Sequence, residues 1–151
     1  MRIIVCTDGS DTSRRAVKRA AQVNDFVPEA EITLVFVHEY SQNPPRYGHI
    51  ARDGVRKPPE GLPSDIDEIY IQQGEEVLEE AIKILKEEGC TCSTRLLHGE
   101  PAQAIIAYAK EKECDLLILG SKGRRTIQKI MTGSVSSAVV PKAHCDVLVV
   151  K

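Results

Sequence analysis

Apolar residues in this chain fall into two kinds of segment, short unbroken runs and longer stretches with a helical period. The short runs are rich in β-branched residues, which is typical of parallel strands buried on both faces. Four such runs occur, at residues 2–7, 32–38, 115–119 and 146–150. Residues 91–98 mix polar and apolar positions and predict a further strand near an edge of the sheet. Five short strands are therefore expected.

Segments with a helical period separate these strands. The first helix is expected to start at Ser10 or Asp11, either of which can cap it, and residues 65–88 predict a long helix that Gly89 stops. Pro101 suits the first turn of a third helix, and residues 134–140 predict a short fourth one. The helices are expected to bury Ala16, Val17, Ala20, Ala21, Ile66, Ile69, Tyr70, Val77, Leu78, Ala81, Ile82, Leu85, Ala102, Ile105, Ile106 and Ala109.

The alternation of strands and helices predicts the fold class. Strands that alternate with helices pair in parallel through right-handed crossovers. The expected fold is an α/β domain, a single open sheet with helices on both faces, spanning residues 1–151. Residues 40–64 hold five prolines and three glycines and fit no regular element. A loop of this length is usually functional or disordered, so it is either a lid over a ligand or a spacer.

Composition excludes several classes of protein. The 151 residues are 42% hydrophobic and 28% charged, the balance of a soluble globule. A net charge of −2, no Trp and two Phe disfavour nucleic acid as a partner. The apolar runs are too short to cross a membrane, and the early charge at Asp8 argues against a signal peptide. We therefore expect a cytoplasmic protein, and its five cysteines are expected to be reduced thiols rather than metal ligands.

Unusual residues follow two of the predicted strands. The first strand ends in Thr7-Asp8-Gly9-Ser10, and the fourth leads into a loop bounded by Gly120 and Gly133. In open parallel sheets, ligands bind beyond the carboxyl ends of the strands, where the strand order reverses. The loop contains four basic residues and no acidic one, and its glycines let backbone N–H groups approach an anion. These features predict a polyphosphate site, although an ordinary solvated turn would also use glycines here.

Signatures of other chemistry are absent or weak. No G-x-x-x-x-G-K-[ST], G-x-G-x-x-G or G-x-S-x-G motif occurs. Asp8 is the one carboxylate at a predicted sheet end, and either His38 or His98 could reach the same rim. A histidine at a strand terminus is more often a plain surface residue, so no catalytic residue is assigned.

The glycine pattern resembles a known family. Gly120-x2-Gly123-x9-Gly133-Ser134 is similar to the nucleotide-binding signature of the universal stress protein family, in its ATP-binding branch. The strand that ends in Asp8-Gly9-Ser10, the run Leu34-Val-Phe-Val37, Gly99-Glu-Pro101 and the terminal strand also resemble that family. The resemblance covers the whole chain. The loop departs from many members at Lys122, where they have a histidine.

The resemblance implies a fold and a set of binding residues. The sheet would have the order 3-2-1-4-5, as in adenine-nucleotide α hydrolases. The first-strand end and Val37 would hold the adenosine, Leu119 and Gly120 would bound the ribose and α-phosphate, and the glycine loop would hold the phosphates with Mg²⁺ or Mn²⁺. The nucleotide-binding residues expected are Cys6, Thr7, Asp8, Val37, Leu119, Gly120, Gly123, Arg124, Gly133, Ser134 and Val135.

The resemblance also implies a function. It suggests an ATP-binding regulatory protein of the stress response, whose nucleotide state controls its conformation or an unidentified protein partner. A homodimer through the C-terminal strand is expected as well. The alternative is a slow ATPase or a nucleotidyl-transferring enzyme, but the SGGxDS-like phosphate loop of related enzymes is absent. A flavin-type electron-transfer relative would need a second domain to cover its cofactor.

Overall fold

The computed structural model has the predicted order of strands and helices. It describes residues 1–38, 65–123 and 133–151, with the side chains of the second helix described from residue 72 onward. The elements are β1 (Arg2–Cys6), α1 (Asp11–Phe26), β2 (Glu31–His38), α2 (Asp65–Glu87), β3 (Cys92–His98), α3 (Pro101–Glu111), β4 (Leu116–Gly120), α4 (Ser134–Val139) and β5 (Asp146–Val150). The proline-rich segment 40–64 and residue Arg124 lie outside the described residues.

The five strands form one parallel sheet in the order β3-β2-β1-β4-β5, as the resemblance implied. The chain runs outward from β1 through β2 to β3, and it then returns to place β4 on the other side of β1. The strand order therefore reverses between β1 and β4. Ligands of open α/β sheets bind outside the carboxyl ends of the strands at such a point.

Helices cover both faces of the sheet and give the protein two apolar cores. On one face, α1 and α2 bury small and branched side chains against Ile3, Val5 and Leu34. On the other face, α3 and α4 pack against Ile4, Val35 and Leu117. The described helical residues predicted to be buried are buried or, for Ile82 and Ile106, partly buried. Both faces of the central strands are thus apolar, which explains their unbroken runs.

At Gly74, α2 lies directly against the sheet. A Cβ at this position would lie 2.6 Å from Leu96 Cδ1 and 3.0 Å from Phe36 Cδ1. A glycine inside a helix costs about 1 kcal/mol relative to alanine. Here it allows the helix backbone to rest directly on side chains of β2 and β3.

Among the described residues, no helix combines the length and apolar character that a membrane span requires.

Candidate functional site

The loop after β1 is held by hydrogen bonds among its own residues. Thr7, which is 5% exposed, still donates its N–H to Val35 O at 2.9 Å, although β1 has ended. Its hydroxyl accepts from Gly9 N at 3.3 Å and lies 3.2 Å from Ser13 Oγ. Asp8 Oδ1 accepts from Ser10 N at 3.0 Å. Gly9 has a φ of 75°, which favours glycine at this turn.

Ser10 caps α1, one of the two capping residues that the sequence predicted. Its hydroxyl accepts from Ser13 N at 3.3 Å, and its carbonyl accepts from Ser13 Oγ at 2.9 Å. The same Ser10 hydroxyl donates to Lys122 O at 3.1 Å. The cap of α1 therefore also fastens the loop that follows β4.

Thr12 makes the second link between the two loops. Its hydroxyl donates a short hydrogen bond to Lys122 O and accepts from Lys122 N at 3.3 Å. Gly120 lies directly beneath it, where a Cβ would come within 2.8 Å of both Thr12 Oγ1 and Ser13 N. Gly120 thus gives room to the first turn of α1. We expected its missing Cβ to expose N–H groups to an anion, but the structure shows that it permits close packing.

Gly123 and Gly133 bring the β4 loop against Asp8 and close it. A Cβ on Gly123 would lie 2.8 Å from Asp8 Oδ2, so the carboxylate lies directly beside this stretch of backbone. Gly133 N donates to Ser121 O, and a Cβ on Gly133 would lie 3.1 Å from the same oxygen. Neither glycine has a positive φ. Their role is therefore close backbone approach and not left-handed geometry.

Val37 offers peptide groups to the space above β1. The register of β1 with β2 ends at Cys6 and Val35, whereas β2 continues beside β3 to His38. In a parallel strand, alternate residues direct their N–H and C=O groups to the same side. Because Thr7 bonds to Val35 O, the peptide groups of Val37 also point toward the β1 side, where no residue of β1 is in register with them.

Besides Thr7, two of the expected binding residues have buried side chains, and both lie in an apolar core. Leu119 is 3% exposed in the core beneath α3 and α4. Cys6 is buried in the same core, where burial foremost, and also the nearby Cys114, raise the pKa of its thiol. The thiol therefore stays protonated at neutral pH. Both residues can face the crevice between the carboxyl ends of β1 and β4 only through their main chain.

The remaining candidates are residues of the β4 loop and of α4, and two histidines at the ends of β2 and β3. Ser134 is exposed and Val135 half-buried in the first turn of α4, which has six residues. Lys122 is exposed beside Gly123. His38 and His98 pair with each other across β2 and β3, with ring centroids 5.8 Å apart. They stand at the same rim but not between β1 and β4.

Sequence reasoning missed three polar residues next to the two loops, of which Thr12 joins them. Thr12, Ser13 and Ser121 are 8%, 3% and 2% exposed, and all three are buried polar residues beside the crevice. A signal for the first two was present in the sequence. They extend the buried stripe of α1 by one turn, since they lie four residues before Ala16 and Val17, and polar residues at such positions need internal partners.

The crevice combines a carboxylate with peptide groups and hydroxyls. Asp8 supplies the negative charge, and backbone N–H groups near Gly123 and Gly133 are the candidate donors to an anion. Among the residues that the structure describes, no three His, Cys, Asp or Glu side chains form a metal-binding group. The arrangement suits a ligand that is anionic at one end and hydrogen-bonds through a planar edge at the other.

Comparisons with known proteins identify relatives along the whole chain. A family model described as "Universal stress protein family" matches residues 1–151. A universal stress protein of Methanocaldococcus jannaschii is 35% identical over 151 residues, covering 99% of this chain and 81% of that protein. The stress response protein NhaX of Bacillus subtilis is 33% identical over 162 residues, covering 99% of this chain and 97% of its own length.

A solved structure is similar as well. It is a universal stress protein in complex with cAMP, with 28% sequence identity and a TM-score of 0.67. The match covers 100% of this chain and 96% of that one.

Proposed function

The chain belongs to the universal stress protein family, and on that premise we propose that it binds ATP in the crevice between the ends of β1 and β4. The observation that carries this proposal is the contact of Asp8 with the backbone at Gly123, directly at the reversal of strand order. A family member of the same fold is known in complex with cAMP, which is also an adenine nucleotide. Its example supports the same ligand class here.

The adenosine end of the ligand would lie above β1. The peptide groups of Val37 can pair with the edge of the adenine ring, which offers both a donor and an acceptor. Asp8 can accept hydrogen bonds from the ribose hydroxyls. One of its oxygens already holds Ser10 N at 3.0 Å, so the carboxylate is fixed in position.

The phosphate end would lie along the β4 loop. Gly123, Ser134 and Val135 offer backbone N–H groups, and Lys122 adds an exposed positive charge. The N–H of Gly133 is already bonded to Ser121 O, so Gly133 would contribute close backbone approach and not a donor. Because the described residues form no metal group of their own, a Mg²⁺ or Mn²⁺ ion would be held mainly by the phosphates, with Asp8 as the nearby carboxylate. Such ions commonly use one or two carboxylates together with phosphate oxygens.

The proposed role of the nucleotide is regulatory. Bound ATP would set the geometry of the β4 loop, and thereby the surface that a protein partner meets. The carboxylate of Asp8 already serves the loop as an acceptor, which favours a structural use over general-base chemistry. Release of inorganic phosphate in proportion to enzyme, at saturating ATP and metal, would instead indicate a slow ATPase.

Thermal unfolding with and without nucleotides tests the proposal. ATP with Mg²⁺ at about 100 times its dissociation constant should stabilise the fold by about 2.7 kcal/mol, which raises Tm by several degrees. GTP should raise it less, because its ring edge presents a different donor and acceptor pattern. Equal shifts with ATP and GTP, or no shift at millimolar concentration, would contradict adenine recognition.

Gly123→Val tests the position of the phosphates. The new side chain would displace the Asp8 carboxylate and fill the space beside it, so ATP should no longer raise Tm. Lys122→Val is the matched control, because it places the same side chain at the neighbouring exposed position. The control should weaken binding only modestly, since exposed charges contribute little. Full ATP stabilisation of Gly123→Val would place the nucleotide elsewhere.

A homodimer through β5 is also proposed. β5 forms an edge of the sheet, and Val147, Leu148 and Val149 are only half-buried. Val150 O accepts from Ser121 N on the β4 side, so by alternation the N–H of Val149 points outward. An uncovered apolar edge of this kind pairs readily with another chain.

Proline at this edge tests the dimer. Val149→Pro removes the outward N–H and should give a monomer in sedimentation velocity, whereas Val149→Ala keeps the N–H and should leave the dimer. A wild-type protein that is monomeric at micromolar concentration would exclude this assembly.

A further inference from the structure

Two cysteines lie next to each other at the amino ends of β4 and β5, far from the crevice. The register pairs Leu116 with Asp146, and Asp146 N donates to Asp115 O at 3.3 Å. Cys145 is therefore level with Asp115, and Cys114 is one residue away along the neighbouring strand. Strand spacing and one residue of offset give a Cα separation of about 6 Å. This lies within the range that a disulfide spans.

The two side chains share one environment. Cys114 is buried and Cys145 half-buried in the core beneath α3 and α4. Burial, followed by the neighbouring Cys145, raises the pKa of Cys114 to about 12. Cys114 Sγ also donates to Leu116 O at 3.2 Å. Cys145 is thus the thiol that solvent reaches, and Cys114 is the protected thiol beside it.

We propose that Cys114 and Cys145 form a redox modification site, a dithiol that hydrogen peroxide converts to a disulfide. The Cys145 sulfur attacks one peroxide oxygen, the O–O bond breaks, and the other oxygen leaves as water with the thiol proton. The Cys114 sulfur then attacks the resulting sulfenic acid, forming the S–S bond and releasing a second water. Two thiols and one peroxide give one disulfide and two waters.

The disulfide would close a covalent loop around part of the crevice. Residues 114–145 contain β4, the backbone at Gly123, and α4. A cross-link of this span restricts the unfolded chain, so Tm should rise by several degrees on oxidation and return with dithiothreitol. The site needs no nucleotide, and it can be tested whether or not ATP binds.

Peptide mapping of the full chain tests the site. The native protein is treated with hydrogen peroxide, alkylated with iodoacetamide under denaturing conditions, and digested with trypsin without reduction. We expect peptide 113–122 linked to peptide 143–151, and two of the five thiols lost to alkylation. The rival pair, Cys90 and Cys92, lies within peptide 87–95 and would instead give an internal loss of two hydrogens. Oxidation confined to that peptide, or a 114–145 link that forms only in urea, would overturn the proposal.

Serine variants separate the two thiols. Cys145→Ser should leave Cys114 fully alkylatable after the same peroxide treatment, because the buried thiol reacts slowly alone. Cys92→Ser is the matched control and should form the 114–145 link as the wild type does. Loss of Cys114 at the wild-type rate in Cys145→Ser, or a Tm that falls when the wild-type link forms, would also overturn it.

Discussion

The loop that follows β1 holds its shape with hydrogen bonds within residues 7–13, whereas the loop that follows β4 is held at Lys122 by residues at the start of α1. Thr7, Asp8 and Ser10 accept hydrogen bonds from N–H groups within residues 7–13. Lys122, by contrast, is held at its carbonyl by the hydroxyls of Ser10, which caps α1, and of Thr12 in the first turn of α1. A change in the first loop is therefore expected to disturb both, while a change confined to the second should leave the first intact.

The difference gives the two loops different parts in the proposed site. The first loop is a preformed corner that fixes Asp8 before any ligand arrives. The second loop is tied at its two described ends, through Lys122 to the start of α1 and through Gly133 to Ser121.

Gly120→Ala should have the largest effect on stability, because the new methyl group would push the strand end that leads into the second loop away from the start of α1. Its Cβ would lie 2.8 Å from backbone and hydroxyl atoms of α1. Overpacking against atoms that cannot turn away costs about 1–3 kcal/mol, and we expect the upper end of this range in urea unfolding. Gly123→Ala is the control. Its new methyl would meet only the side chain of Asp8 and no backbone atom, so it should cost less than about 1 kcal/mol. If both variants lose the same free energy of unfolding, close packing at Gly120 does not hold the two loops together.

Thr12→Val should have the next largest effect, because it removes the hydroxyl that holds Lys122 and keeps the shape. Leaving the part-buried backbone groups of Lys122 without this partner should lower the free energy of unfolding by about 1–2 kcal/mol. Thr12→Ser keeps the hydroxyl and loses one methyl, for about 0.8 kcal/mol at most. Denaturant unfolding of both variants checks this order, and a serine variant less stable than the valine variant would contradict the proposed link.

Ser10→Ala should have the smallest effect of the three. It removes the acceptor for Ser13 N, a helix cap worth about 1 kcal/mol, and one of the two hydroxyl donors to Lys122 O. Ser10→Asn retains a capping oxygen and should recover most of the lost stability. If Ser10→Ala proves costlier than Thr12→Val, the cap rather than the threonine is the main tie between the loops.

The candidate site was predictable in its parts but not in its internal contacts. The glycine spacing placed Gly120, Gly123 and Gly133 in one loop, and the end of the first strand singled out Asp8. The contact of Asp8 with Gly123 joins residues far apart in the chain, and no local pattern records it. The same holds for Thr12, whose partner is Lys122.

The sequence alone determined the element order, the parallel pairing and the two apolar faces of each central strand. These follow from local periodicity and from burial, and each needs only a short window of the chain. Tertiary structure decided the contacts between residues that are too far apart in the chain to share such a window. It explains why Gly120 and Gly74 are glycines, because a side chain at either position would collide with a neighbouring element. It also placed Cys114 beside Cys145, because strand register, and not sequence spacing, determines which residues meet across a sheet.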